Sequence, residues 1–248
     1  MQNHYLPHQY NISNIIYDTP EYSDDNTKKT IKIYDNKMDK PLYIQTPELV
    51  NIFGVMNKKS HSEILLPLGG IQCLVFKKFI NDLENKILQD ANLYKHTWFS
   101  QKSTDSISSE SKKKLINSKS IKFIPIIKEI NKEVTSTMDD VDNIDKCNDG
   151  LIKIKITSNT LIKKESNEIT VNELTKNNKI RMILQVYAIW ITNKPLDEST
   201  TNFVSTFGIY LKPEIIEEKV IYNLNFIEDN IIVESDDEDE SDESEDEE

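Results

Sequence analysis

His4 and His8 lie four residues apart, a spacing at which two imidazoles could share a metal ion. That geometry needs a helical frame, and the surrounding stretch is polar and aperiodic, so a stray pair is the plainer reading. DDVDNIDKCNDG is acidic enough for calcium, but Ile144 stands where an oxygen ligand belongs and no glycine marks the turn. Gly69-Gly70 reads as a turn and not as a phosphate loop. Cys73 and Cys147 are the only cysteines, too few and too far apart for a disulfide framework or a zinc motif; a reducing compartment suits them. No Ser/His/Asp or Cys/His arrangement can be placed. The chain is therefore not expected to be an enzyme, and no cofactor or metal is expected.

The residue types that do carry chemistry are cationic and aromatic. From Leu151 to Arg181 there are seven basic and three acidic residues, and Lys112 to Lys128 adds six Lys and no acid. Lys153 and Lys155 alternate outward from one expected strand; Lys179, Arg181 and Tyr187 do so from a second, and Tyr210 and Lys212 from a third. A basic groove follows a phosphate backbone, and aromatic faces stack on bases at about 1–3 kcal/mol each. These seven residues are the candidate nucleic-acid-binding set. The competing reading is an ordinary solvated sheet face, on which Lys is common, and the pattern alone leaves both standing. Trp190 falls on the apolar side of a strict alternation and is expected in the core. Trp98 and Phe99 suit either role.

Strands must present such a face. LIKIKIT places Ile152, Ile154 and Ile156 on one side. KIRMILQVYAIWIT predicts the longest strand, with Ile180, Met182, Leu184, Val186, Ala188 and Trp190 on one side and Arg181, Ile183, Gln185, Tyr187 and Ile189 on the other. TFGIYLKPEII is its partner, with Phe207, Ile209 and Leu211 opposite Tyr210 and Lys212. SEILLPL and IKFIPII predict further strands, the latter at an edge because Pro125 lacks a donor. One amphipathic helix is predicted: Phe76, Ile80, Leu83, Ile87 and Ala91 recur at spacings of three and four, with Val75, Phe79 and Leu88 widening the stripe. Residues 1–38 read as an extended arm with a strand at Thr30–Tyr34. Residues 39–233 read as one β domain with polar loop insertions at 100–120 and 131–149. The expected class is mainly β with one or two helices, a barrel or sandwich, because strands and helices do not alternate regularly.

Charge is segregated along the chain. Residues 234–248, ESDDEDESDESEDEE, hold twelve acids and no base, and the whole chain has a formal net charge of −12, so the body is formally neutral. Such a block repels itself and is expected to be disordered. Its use is contact with something basic, or plain solubility. Ser235, Ser241 and Ser244 are expected phosphorylation sites, each phosphate adding about 1.5–2 negative charges. The 35 Ile, 29 Lys and 24 Asn share AT-rich codons, which weakens any argument from Lys abundance and sets Arg181 apart as the one Arg. No apolar run is long enough to span a bilayer and no signal peptide opens the chain, so a soluble, intracellular protein without a membrane partner is expected.

The order of parts carries a resemblance. SEILLPL, the Phe76–Ala91 helix, LIKIKIT, NNKIRMILQVYAIW, FGIYLK and the acidic tail follow one another from Pro41 onward. This resembles the single-stranded DNA-binding proteins of short-tailed coliphages, whose relatives occur in nucleocytoplasmic large DNA viruses. The resemblance implies an OB-like barrel with a helix and an acidic C-terminal tail. It also implies single-stranded DNA as partner, in viral DNA replication or recombination. The tail would compete with DNA and recruit replication proteins, a homodimer is among the implied assemblies, and host cytoplasm, viral factory or virion is the implied location. The aromatic residue that follows the acids in the phage proteins has no counterpart in ESDDEDESDESEDEE, so a contact through it is not carried over. PLYIQTPELVNIFGV and the same IW…FG stretch also look like an uncharacterised family of giant-virus proteins. Two other functions stay open: an acidic-tailed chaperone of basic proteins such as histones, and a virion or scaffold component.

Overall fold

The computed structural model describes residues 4–24, 27–99, 120–129, 150–195 and 203–219. The tail at 234–248 with Ser235, Ser241 and Ser244, and nearly all of the two polar insertions, lie outside the described residues. In chain order the elements are β1 (Ile15–Tyr17), β2 (Glu21–Tyr22), β3 (Lys28–Asp35), β4 (Lys40–Pro41), β5 (Tyr43–Gln45), β6 (Leu49–Val50), β7 (Val55–Asn57) and β8 (Ser62–Pro67). Helices α1 (Leu74–Leu93) and α2 (Lys95–Trp98) follow. The remaining strands are β9 (Ser120–Ile124), β10 (Ile127–Lys128), β11 (Leu151–Ile156), β12 (Leu161–Lys164), β13 (Asn167–Glu168), β14 (Lys179–Pro195) and β15 (Phe203–Lys219). The architecture is mainly β with one long helix, as the sequence predicts. Pairing among the described strands runs along two open sheets and does not close into a barrel.

β14 and β15 are the spine. They pair antiparallel along their 17-residue lengths. The far edge of β14 is taken in succession by β6, β5 and β3, each antiparallel. The far edge of β15 is taken by β9 and β12, both parallel. Within the stretch read as an arm, Lys28–Asp35 forms β3 beside β14, and Ile31 and Ile33 are fully buried. The second sheet has the order β10-β11-β8-β7. Pro125 sits between β9 in the first sheet and β10 in the second, at the edge of each; a residue without an N–H falls where the chain changes sheets.

Helix α1 enters from Gly70, whose φ of +87° suits glycine. It buries Phe76, Phe79, Ile80, Leu83, Ile87 and Ala91 against the inner faces of both sheets in one continuous core. Each fully buried Ile, Leu or Phe contributes about 1.5–3 kcal/mol relative to exposure. The stripe is narrower than the sequence predicts: Val75 and Leu88 are 48% and 36% exposed.

Polar groups tie the core at its margins. Strict alternation in β3 carries Lys29 inward with Ile31 and Ile33. Its ammonium donates to the Trp98 carbonyl at 2.8 Å and lies 4.6 Å from the Tyr22 ring centroid; burial pushes its pKa down to about 8. Tyr17 donates to Asp90, which also accepts from Lys86 at 2.6 Å, and so pins β1 to the helix.

Candidate nucleic-acid interface

Register decides which side chains share the outer face of the large sheet. In β3 the exposed or half-buried positions are Lys28, Thr30, Lys32 and Tyr34. In β14 they begin with Lys179, Arg181 and Ile183, alternating with buried Ile180, Met182 and Leu184. Then the register slips: Val186 opposes Leu211, but Ala188 opposes Tyr210, so Tyr187 is an extra residue. Such a bulge inverts the alternation beyond it. Ile189 and Ile191 turn inward and are fully buried, and Trp190 turns outward, half-buried. This corrects the expectation that Trp190 is core and that Ile189 faces out.

Trp190 opposes Thr30 on β3 and Gly208 on β15. Its indole lies across Gly208: a Cβ built there would stand 2.8 Å from Trp190 Cζ2 and 2.9 Å from the Ile124 carbonyl oxygen. Gly208 thus lets the ring approach the sheet closely. Replacing it with Ala is expected to cost about 1–3 kcal/mol through overpacking, because the Ile124 backbone cannot withdraw without loosening β9. A thermal melt of Gly208→Ala reads this directly; an unchanged midpoint would show that the indole has room to move.

The neighbouring rows complete the face. Lys32, Ala188 and Tyr210 form one row across β3, β14 and β15. Tyr43, Gln185 and Lys212 form the next across β5, β14 and β15. Lys28, Thr192, Thr206 and Lys122 form the row beyond Trp190. The Tyr187 and Tyr210 rings meet edge-on, with centroids 5.7 Å apart. Burial raises the Tyr43 and Tyr210 phenol pKa values, so both rings stay neutral near pH 7. Lys32 donates to Glu21 at 2.7 Å and Lys212 to Glu214 at 2.6 Å; each hydrogen bond raises the lysine pKa and keeps it charged. Four Lys and two Glu leave this part of the face positive. Ion pairs this open to water are weak, so a phosphate can replace either glutamate.

The candidate residues read from the sequence divide accordingly. Tyr187, Tyr210 and Lys212 lie together, and Arg181 and Lys179 continue the same face toward the start of β14, where Arg181 meets Glu48 at 2.8 Å and Lys179 meets it at 3.9 Å. Lys153 and Lys155 do not join them. β11 pairs with β8 and β10 in the other sheet, so it is not the neighbour of β14, and Lys153 is held by Glu63 at 2.8 Å. Burial would raise the Glu63 pKa, but hydrogen bonds from Lys153 and His61 outweigh it and hold the carboxyl low. Trp190, Lys28, Lys32, Tyr34, Tyr43 and Lys122 are the outer-face residues that sequence reasoning did not select. A regular KKTIKIYD alternation was visible for Lys28, Lys32 and Tyr34; no signal marked the bulge that exposes Trp190. His4 and His8 also part: His4 meets the Gln45 amide, and His8 borders a cleft near Arg181. Among the described residues, no three His, Cys, Asp or Glu side chains are grouped to hold a metal ion.

No family model matches the chain, and no curated protein matches it. Solved structures with some likeness include the single-stranded DNA-binding protein from bacteriophage Enc34 in complex with ssDNA, at 9% identity and a TM-score of 0.34, covering 82% of this chain and 96% of that chain. The C-terminal truncation of that phage protein gives 9% identity and a TM-score of 0.34 over 85% of this chain and 97% of that one. The same phage protein on its own gives 10% and 0.33, over 81% and 88%. A likeness this slight assigns neither a fold nor a function to this chain. What the chain can do rests on its own outer face.

Proposed function

We propose that the outer face of the large sheet binds single-stranded DNA. The observation that supports this reading is the row-by-row arrangement of Tyr187, Trp190 and Tyr210 among Lys28, Lys32, Lys122 and Lys212 on β3, β14, β15 and β9. Stacking is indifferent to sequence because every base has a π-face, and lysines hold phosphates as point charges. Lys179 and Arg181 extend the path at one end. In this reading the protein serves DNA replication or recombination of a large DNA virus, in the host cytoplasm or viral factory. Its acidic tail competes with DNA for the face and recruits replication proteins. The coliphage-like order of parts and the AT-rich residue usage support that setting.

The test is equilibrium binding of the full chain to single-stranded DNA, double-stranded DNA and histones, repeated without residues 234–248. Single strands should bind, with log K falling against log salt at about −0.7 per phosphate neutralised, hence about −3 if four lysines engage. Deleting the tail should tighten binding, and the gain should shrink with salt because attraction is screened over about 10 Å at 0.1 M. Histone binding that vanishes with the tail, with no DNA binding in either form, would establish the chaperone of basic proteins instead. Binding to neither ligand would favour the virion component.

A further inference from the structure

The turn that leads into α1 and the first residues of the helix present apolar surface that the core does not use. Ile71, Leu74 and Val75 are 83%, 54% and 48% exposed. Val75 also borders a cleft of about 230 Å³ whose other walls include Leu6, Pro7, Pro47, Gln72 and Arg181. A patch that runs into this mixed apolar and polar cleft, with Arg181 and Glu48 paired on its wall, fits an apolar segment whose acids can reach the remaining guanidinium donors.

The chain supplies one within reach. Residues 220–233, outside the described residues, read VIYNLNFIEDNIIV: nine apolar side chains, the acids Glu228 and Asp229, and no base. They follow β15, whose last residue, Lys219, opposes Lys179, two residues before Arg181. Strand spacings put that exit within roughly 10 Å of the Arg181 backbone. Fourteen residues extend up to about 45 Å, ample to reach the first turn of α1. Tethering raises the effective concentration of such a segment to the millimolar range, which favours it over a separate partner.

We propose that residues 220–233 seat on Ile71, Leu74 and Val75 and in the adjoining cleft, with Glu228 and Asp229 turned toward Arg181 and Lys179. Glu48 already accepts from Arg181 at 2.8 Å, and the guanidinium fork has donors for a second carboxylate. The seat would fix where the acidic tail begins, at the Lys179–Arg181 end of the outer face. This inference does not depend on what that face binds.

The test is photo-crosslinking in the full chain carrying Phe226→benzoylphenylalanine, irradiated at low concentration and mapped by mass spectrometry. Crosslinks within one chain to residues 71–75 or 6–7 are expected. Their yield should fall at least tenfold in Ile71→Ser/Leu74→Ser/Val75→Ser and severalfold in Ile71→Asp alone, the change least able to disturb the helix. Crosslinks only between two copies would make the patch a dimer surface and overturn the proposal. So would crosslinks confined to the outer sheet face, no crosslink, or a yield unchanged in both variants.

Discussion

Replacing Trp190 with alanine is expected to weaken single-strand binding by about 5- to 150-fold, the equivalent of about 1–3 kcal/mol for one lost base stack. The indole is the largest ring on the outer face, it lies against Gly208, and it is half-buried, so part of it stays open to solvent. Trp190→Phe should keep most of the affinity, since a smaller ring still stacks. Fluorescence offers an independent reading. The chain has two tryptophans, and Trp98 is 3% exposed, so quenching on addition of single-stranded DNA should come from Trp190 and disappear in the alanine variant. Wild-type affinity in a Trp190→Ala protein with an unchanged melt would remove the indole from the site.

That residue also shows where sequence reading ends. The helix and the second-half strands were legible because their apolar periods are strong: Ile152, Ile154 and Ile156 are buried as alternation requires, and so are Phe207, Ile209 and Leu211. Alternation in β14 held from Ile180 to Val186 and then failed, because one unpaired residue, Tyr187, shifts everything after it to the opposite side. A bulge depends on the partner strand and leaves no mark in one strand's own pattern. The glutamates that meet the basic residues were hidden for a similar reason. Glu48, just before β6, meets Arg181 on β14, and Glu21 meets Lys32 across a β2–β3 pairing that no local motif specifies. The separation of Lys153 and Lys155 from the site is again topological: β11 lies between β8 and β10, a strand order that alternation cannot encode.

The largest stability effect is expected at Glu218. It is an acid on the inward side of β15, and only 1% of it is exposed. Its carboxylate accepts from the Thr175 N–H at 2.7 Å and the Asn178 side-chain amide at 2.7 Å, and meets the Lys164 ammonium at 2.9 Å. One side chain thus fastens the loop before β14 and the end of β12 to β15. Removing it as Glu218→Ala takes the acceptor from three donors, of which Lys164 and Thr175 are open to water, a loss of about 1.5–3 kcal/mol, the range for hydrogen bonds to a charged group. A chain of this length should then melt about 5 °C earlier. The pH dependence separates this from simple loss of packing. Burial by itself would raise the Glu218 pKa; the Thr175 N–H, Lys164 and Asn178 outweigh it and hold the carboxyl below the usual range. A group whose folded pKa lies below its unfolded value of about 4.3 contributes fully above that value and loses its contribution as pH falls through the folded pKa. The melting gap between wild type and Glu218→Gln should therefore be widest near neutral pH and close progressively below about pH 4. A gap that stays constant down to pH 3 would mean that the carboxylate's charge adds nothing and that Glu218 acts by shape alone.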